Sequence, residues 1–209
     1  MDNVIAISAD SAHCLALRND GTVWAWGYNF FGQLGDGSQS SASIPFQIRG
    51  LIGIKQIAAG VNHALLLKGD GTVWGLGQGS SGQLGGSSSG NALLPAQTQG
   101  LTDVIAIAAG LETSMALRRD GTVWAWGNNA SGQLGVATQS TCDGDPCSRV
   151  PVQVPGLAGI TAIAAGWGHN MALRTDRTVW AWGWNDLGQV GDGTGGDRSN
   201  NNNRNLPVL

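Results

Sequence analysis

Asp120-Gly-Thr-Val-Trp-Ala-Trp-Gly-Asn-Asn-Ala-Ser-Gly-Gln-Leu-Gly135 decides the fold, because near-copies of it begin at Asp20, Asp70 and Asp176. The copies of its first tryptophan, Trp24, Trp74, Trp124 and Trp180, stand 50, 50 and 56 residues apart. Self-similarity at such a period marks solenoids, propellers or arrays. The chain is therefore a tandem repeat, and its 209 residues read as a single unit without an internal linker.

Within each repeat the local signals favour strands. Asp120-Gly121 sits between Ser114-Met-Ala-Leu-Arg118 and Thr122-Val-Trp-Ala-Trp126, which reads as a hairpin. Upstream, Val104-Ile-Ala-Ile-Ala-Ala-Gly110 supplies another short apolar strand, echoed from Val4, Ile54 and Ile160. A fourth extended segment surrounds Pro45, Pro95, Pro151 and Pro207, and proline confines such a segment to a sheet edge or a strand start. Four short antiparallel strands make one propeller blade. The expected fold is all-β, a β-propeller of about four four-stranded blades, with approximate repeats 1–44, 45–94, 95–150 and 151–206 and residues 207–209 starting a further blade strand.

The pattern Ala-Ala-Gly-x-x-His, then Ala-Leu-x-x-Asp-Gly-Thr-Val-Trp-x-Trp-Gly-x-Asn-x-x-Gly-Gln-Leu-Gly, resembles the repeat of the regulator of chromosome condensation family from Val4 to Leu209. The resemblance implies a β-propeller, usually of seven blades, that serves as a binding platform and has no common catalytic chemistry. It also raises guanine-nucleotide exchange on a small GTPase, although no dedicated exchange wedge interrupts a repeat here. Gly166-Trp-Gly-His169 resembles the Gly-Trp-Arg-His motif of a plant ultraviolet photoreceptor in the same family. Gly168 stands where that motif has its arginine, which disfavours photoreception.

A formal charge of −3 with only two lysines gives no basic stripe, so no direct grip on nucleic acid is expected. No run of about 18 apolar residues suggests a membrane span, and Met1-Asp-Asn-Val-Ile-Ala-Ile7 lacks the features of a signal peptide. Two motifs that suggest chemistry dissolve into the repeat. Gly77-Gln-Gly-Ser-Ser-Gly82 fits a dinucleotide fingerprint, but no βαβ unit surrounds it. Gly79 aligns with Asn29, Asn129 and Asn185, an exchange expected where the backbone needs positive φ. Gly86-Ser-Ser-Ser-Gly90 fits a nucleophile elbow, yet Ser88 lacks the required strand-to-helix turn. No catalytic residue, cofactor or metal is expected, and no acid and base recur together at one spacing.

His13, His63 and His169 share one repeat position, with Thr113 in the fourth, and read as a repeated structural hydrogen bond rather than a zinc site. Asp10, where the other repeats have glycine, reads as a retained left-handed turn. Cys14 reads as a buried thiol in a strand. Seven tryptophans occupy repeat positions and read as core, whereas Trp167 and Trp184 occur only in the fourth repeat, beside turn glycines, and are candidate binding anchors. The third and fourth repeats each carry six extra residues before the proline, and loops on a rigid scaffold often carry function. The third insertion holds Cys142-Asp-Gly-Asp-Pro-Cys147, open to a disulfide, free thiols or metal ligation. A disulfide would favour a secreted or cell-surface location, and a cytoplasmic one stays open as the alternative.

The expected function is a non-enzymatic protein-binding scaffold. Its candidate surface is formed by loops near residues 36–44, 86–94, 136–150 and 192–206, with Trp167, Trp184, Asp143, Asp145, Asp192, Asp197 and Arg198 as contact residues. Inhibition of a secreted enzyme and carbohydrate binding are the other classes considered. The ends look complementary, Leu206 to Leu209 supplying a strand to the sheet begun by Val4 to Ile7. Closing four blades into a ring would open each from about 51° to about 90°. A longer propeller or self-association through uncovered edges is expected instead.

Overall fold

The computed structural model describes residues 1–86, 89–195 and 202–209. Among them the chain forms four antiparallel sheets. The first holds β1 (Val4–Asp10), β2 (His13–Arg18), β3 (Val23–Gly27) and β4 (Ala42–Gln47). The second holds β5 (Ile54–Ala59), β6 (His63–Lys68), β7 (Val73–Gly77) and β8 (Ala92–Gln97). The third comprises β9 (Val104–Ala109), β10 (Thr113–Arg118), β11 (Val123–Asn128), β12 (Ser140–Cys142) and β13 (Asp145–Gln153). The fourth holds β14 (Ile160–Ala165), β15 (His169–Arg174), β16 (Val179–Gly183) and β17 (Arg204–Val208). No helix among the described residues is long and apolar enough to cross a membrane.

The proline strands β4, β8 and β17 lie at sheet edges, and β12 covers only Asp145 to Cys147 of β13, short of Pro151, but these strands are not in the sheets expected for them. β4, β8, β13 and β17 each pair with the tryptophan strand that precedes them in the chain. β17 therefore completes the fourth sheet instead of starting another, and β1 is not short of a partner within the first. A tandem repeat shows which segments recur but not where one sheet stops, and pairing across a loop fixed that boundary.

The Asp-Gly hairpins follow from side-chain capping and close packing. Asp120 Oδ1 accepts the Thr122 backbone N–H at 3.0 Å and its hydroxyl at 2.6 Å, and Asp20, Asp70 and Asp176 repeat the arrangement. Gly121 has φ +80°, and a Cβ there would meet the Gly159 nitrogen of the next sheet at 3.1 Å. In the fourth sheet Arg177 takes this position at φ 69°.

The core lies between successive sheets, as strand alternation dictates. Leu15, Leu17, Val23 and Ala25 of the first sheet pack on Ile54, Ile57, Leu66 and Leu76 of the second. Leu65, Leu67 and Val73 then meet Val104, Ile107 and Trp126, and Met115, Leu117 and Val123 meet Ile160, Ala172 and Trp182. Each Leu, Ile, Val or Met among them contributes about 1.5–3 kcal/mol by leaving water.

Two expectations about single residues need correction. The left-handed residue of the first-sheet turn is Ser11, at φ 50°, not Asp10, which pairs with His13 in the strand. Glycine recurs at that position in other sheets for space: a Cβ on Gly60 would lie 2.4 Å from His63 Cε1 and 2.5 Å from the Gly110 oxygen. The asparagine column is likewise not a positive-φ column. Asn29 and Asn129 use Oδ1 to accept the N–H groups of Leu34 and Leu134, each at 2.9 Å. Gly79 lacks that cap and lies where a Cβ would strike the Gly90 oxygen at 2.2 Å.

Candidate functional site

The loops joining first to second and third to fourth strands emerge at the same end of every sheet. In the fourth sheet they bring Trp167 and Trp184 together, with ring centroids 6.4 Å apart and planes at 60°. Flanking glycines make room: a Cβ on Gly166 would fall 2.3 Å from His169 Cε1, and one on Gly168 would fall 3.1 Å from Trp184 Cβ. The Trp184 N–H donates to the Gly168 carbonyl at 2.7 Å, and the Trp167 carbonyl accepts from Leu111 of the third sheet at 3.3 Å. The backbone is thus held from both sides while the Trp167 side chain stays 62% exposed. Leu111, Ser131, Gln133 and the two indoles line a shallow cleft of about 180 Å³.

A second aromatic group on the same kind of loop escaped the sequence reading. Tyr28 and Phe30 stack with centroids 6.3 Å apart, and Phe31 meets Phe30 edge-on at 5.2 Å. Tyr28 and Phe30 are exposed. Tyr28 stands at the repeat position of Gln78, Asn128 and Trp184, so the column comparison that singles out Trp184 would have found it too.

The other candidate residues are dispersed. Asp143 and Asp145 are exposed at the tip of the β12–β13 hairpin, where Cys142 pairs with Asp145 across Asp143 (φ 50°) and Gly144 (φ 98°). Cys142 and Cys147 are joined as a disulfide with Cα atoms 5.7 Å apart. Asp192 is occupied within its own loop: it accepts from Thr194, Asn185 and Arg204. The Thr194 hydroxyl, with help from Arg204, pulls its carboxyl down to about 2. Asp197 and Arg198, and the Ser88 of the elbow-like motif, lie outside the described residues.

Compared with known proteins, residues 1–209 match the family model of the RCC1-like domain. The chain belongs to the RCC1-like domain family. The Arabidopsis thaliana ultraviolet-B receptor UVR8 is 30% identical over 196 residues, which cover 92% of this chain and 44% of UVR8. Prp20p of Saccharomyces cerevisiae superposes with a TM-score of 0.86 at 24% identity, covering 98% of this chain and 50% of Prp20p. Human WBSCR16 does so at 0.82 and 26%, covering 98% of this chain and 51% of WBSCR16. The RCC1-like chain thus spans about half the length of these relatives.

The histidines of this RCC1-like chain do not repeat one hydrogen bond. His63 Nε2 lies 2.9 Å from Ser114 Oγ of the next sheet. Since the Ser114 hydroxyl donates to the Gln83 carbonyl at 2.7 Å, Nε2 carries the proton and donates. The residue at that position opposite His13 is Ala64, and both His13 ring nitrogens are buried without a partner among the described residues. Burial lowers the His13 pKa from 6.5 to about 4. Burial, followed by the neighbouring His13, lowers that of His63 to about 3. Among the described residues no three His, Cys, Asp or Glu side chains gather to hold a metal. A roomier groove, about 650 Å³, lies elsewhere, along Trp24, Pro45, Phe46, Arg49 and Leu94 at the rim of the first two sheets.

Proposed function

We propose that this RCC1-like chain is a non-enzymatic protein-binding scaffold that grips its partner with the loop face, Trp167 and Trp184 serving as anchors. The observation that carries this reading is Trp167, which is 62% exposed although its backbone is fixed on both sides. The tryptophans at repeat positions are more covered: Trp126 and Trp182 are both at 0%, and Trp24, Trp26, Trp74, Trp124 and Trp180, expected in the core, are half-buried. An aromatic ring presented on a rigid support loses little entropy on binding, and such residues dominate binding energies at protein interfaces. Tyr28 and Phe30 offer a second apolar contact at the other end of the row of sheets. Prp20p is described with its binding to Gsp1p and histones. That property is Prp20p's own, and the partner of this chain is to be found through its own tryptophans.

The test is capture from a cell extract by the immobilised chain, with Trp167→Ala and Trp184→Ala measured beside the parent. Loss of a hot-spot tryptophan costs about 2 kcal/mol or more, roughly a 30-fold weaker interaction. The captured protein should be lost from Trp167→Ala while the melting temperature stays unchanged. Equal capture by the parent and the double variant would overturn the reading, and binding to a glycan array lost in the same variants would replace the protein partner by a carbohydrate.

A further inference from the structure

Departures from the repeat converge on one cleft, at the end of the sheets opposite the tryptophan loops. Where the Asp70-Gly71 turn of the second sheet meets the start of β9 in the third, Lys55, Lys68, Asp70, Asp103, Ile105 and Arg119 line a cleft of about 350 Å³. The chain's two lysines therefore both face it. Lys55 stands where the other sheets have Ile5, Ile105 and Thr161, and Arg119 where they have Asn19, Gly69 and Thr175. The corresponding places pair Ile5 with Gly69 in the first joint and Ile105 with Thr175 in the third. Of the three joints between sheets, the second alone brings a cation from each side.

Gly69 makes room for this arrangement. A Cβ there would lie 2.9 Å from Lys55 Cε, so the lysine stem crosses backbone that carries a side chain in every other repeat. Lys55 Nζ donates to the Gly69 carbonyl at 3.4 Å, which orients the ammonium and leaves it two further donors. The carboxylates of the cleft have other partners. Asp70 accepts from Lys68 Nζ at 2.8 Å and from the Thr72 N–H and hydroxyl. Asp103 lies 3.9 Å from Arg118, which it shares with Asp120 at 3.6 Å. Lys55 and Arg119 form no ion pair among the described residues.

We infer that this cleft binds a phosphate group, free or carried as a phosphomonoester, between the Lys55 ammonium and the Arg119 guanidinium. Two cations without carboxylate partners match the charge of such a group, which approaches −2 above its second pKa of about 6. Cations on opposite walls also suit an anion with oxygens on several sides, the guanidinium fork taking two of them and the ammonium a third. A carboxylate, with one charge and two oxygens in a plane, fills less of this arrangement. Ile105, 44% exposed in the same cleft, offers an apolar contact to whatever carries the phosphate. Asp103, the more loosely paired carboxylate, opposes binding and sets its strength. The site lies at the far end of the sheets from Trp167 and is independent of the loop-face reading.

The test is a titration of the isotope-labelled chain with inorganic phosphate, followed through its amide resonances, with sodium chloride holding the ionic strength constant. Saturable shifts should be confined to residues 55–56, 67–71, 103–105 and 119. Lys55→Gln and Arg119→Gln change exposed side chains, so both should keep the parent's spectrum elsewhere, and each should weaken binding roughly fivefold. Asp103→Asn should tighten it, and Arg49→Gln, outside the cleft, should leave it unchanged. N-acetyl-O-phosphoserine amide distinguishes the sources: tighter binding than inorganic phosphate assigns the site to a phosphorylated side chain of a partner, and equal or weaker binding assigns it to the free ion. Shifts that do not saturate and spread over the arginines of all four sheets would overturn the inference. So would unchanged affinity in both glutamine variants, or acetate that binds as tightly as phosphate. None of these variants touches Trp167 or Trp184, so failure of the loop-face reading and failure of this one are separable.

Discussion

His63 is the residue at which one sheet's chemistry depends most visibly on the next. Its Nε2–H donates to Ser114 Oγ, whose own proton goes to the Gln83 carbonyl, so one hydroxyl links three groups across the joint. Ser114→Ala should cost about 1–3 kcal/mol, because it strands a buried donor. In the reverse direction, Ala64→Ser offers His13 the oxygen it lacks and should gain about 0.5–1.5 kcal/mol. Thermal unfolding of both variants checks the pair. Burial holds His13 and His63 neutral, with pKa values of about 4 and 3 against 6.5. Between pH 6.5 and those values the unfolded chain binds protons that the folded chain refuses. Stability should therefore be level in this respect above pH 6.5 and fall as the pH drops through that window. Denaturant midpoints across pH 4–7 measure this, and Ala64→Ser should not abolish it, since burial is its first cause. The column of histidines was legible in the sequence, but the bond was not. A histidine's partner sits 51 residues further on, in a position that varies from sheet to sheet. For the same reason the asparagine column suggested backbone φ when its amide oxygens in fact cap loops five residues ahead.

Among the described residues β12 is the one strand added to the repeat pattern, and it extends β13 into a hairpin. β12 pairs only with β13, at the outer edge of the third sheet, and the disulfide joins its two strands beside the turn. A loop this short gives at most about 2 kcal/mol in the chain-entropy account. Its effect should be local because no other strand leans on β12. Reduction, or replacing both cysteines by serine, should speed hydrogen exchange at residues 140–147 with little change in melting temperature. A large loss of global stability would show that the hairpin braces the sheet. The spacing of Cys142 and Cys147 was visible in the sequence, yet not that it forms a strand pair, since a three-residue strand is too short to leave a periodic signal. Strand identity elsewhere was legible because each strand recurs. The membership of β4 and β17 was not, because the long loops before them hide which neighbour they join.

At the scale of the molecule, stability resides in joints between neighbouring sheets, so the chain should behave as a short linear array. Its middle joint depends on Trp126, which is fully buried and bonded to the Gln83 carbonyl between Leu65, Val73 and Val104. Truncating such a ring costs about 3–5 kcal/mol, a large fraction of the 5–15 kcal/mol that holds a typical domain together. Trp126→Ala should therefore do more than lower the melting temperature. It should uncouple the first two sheets from the last two, each pair keeping one intact joint. Trp26→Ala removes an indole at the same repeat position from a face that is open within the chain, and in a single chain it should leave unfolding cooperative. Hydrogen exchange followed through denaturation distinguishes the outcomes. Two groups of amides, divided between residue 99 and residue 104, should open at different denaturant concentrations in Trp126→Ala and together in the parent. If all four sheets of Trp126→Ala still open together, the joints are not the unit of cooperativity, and the array description fails.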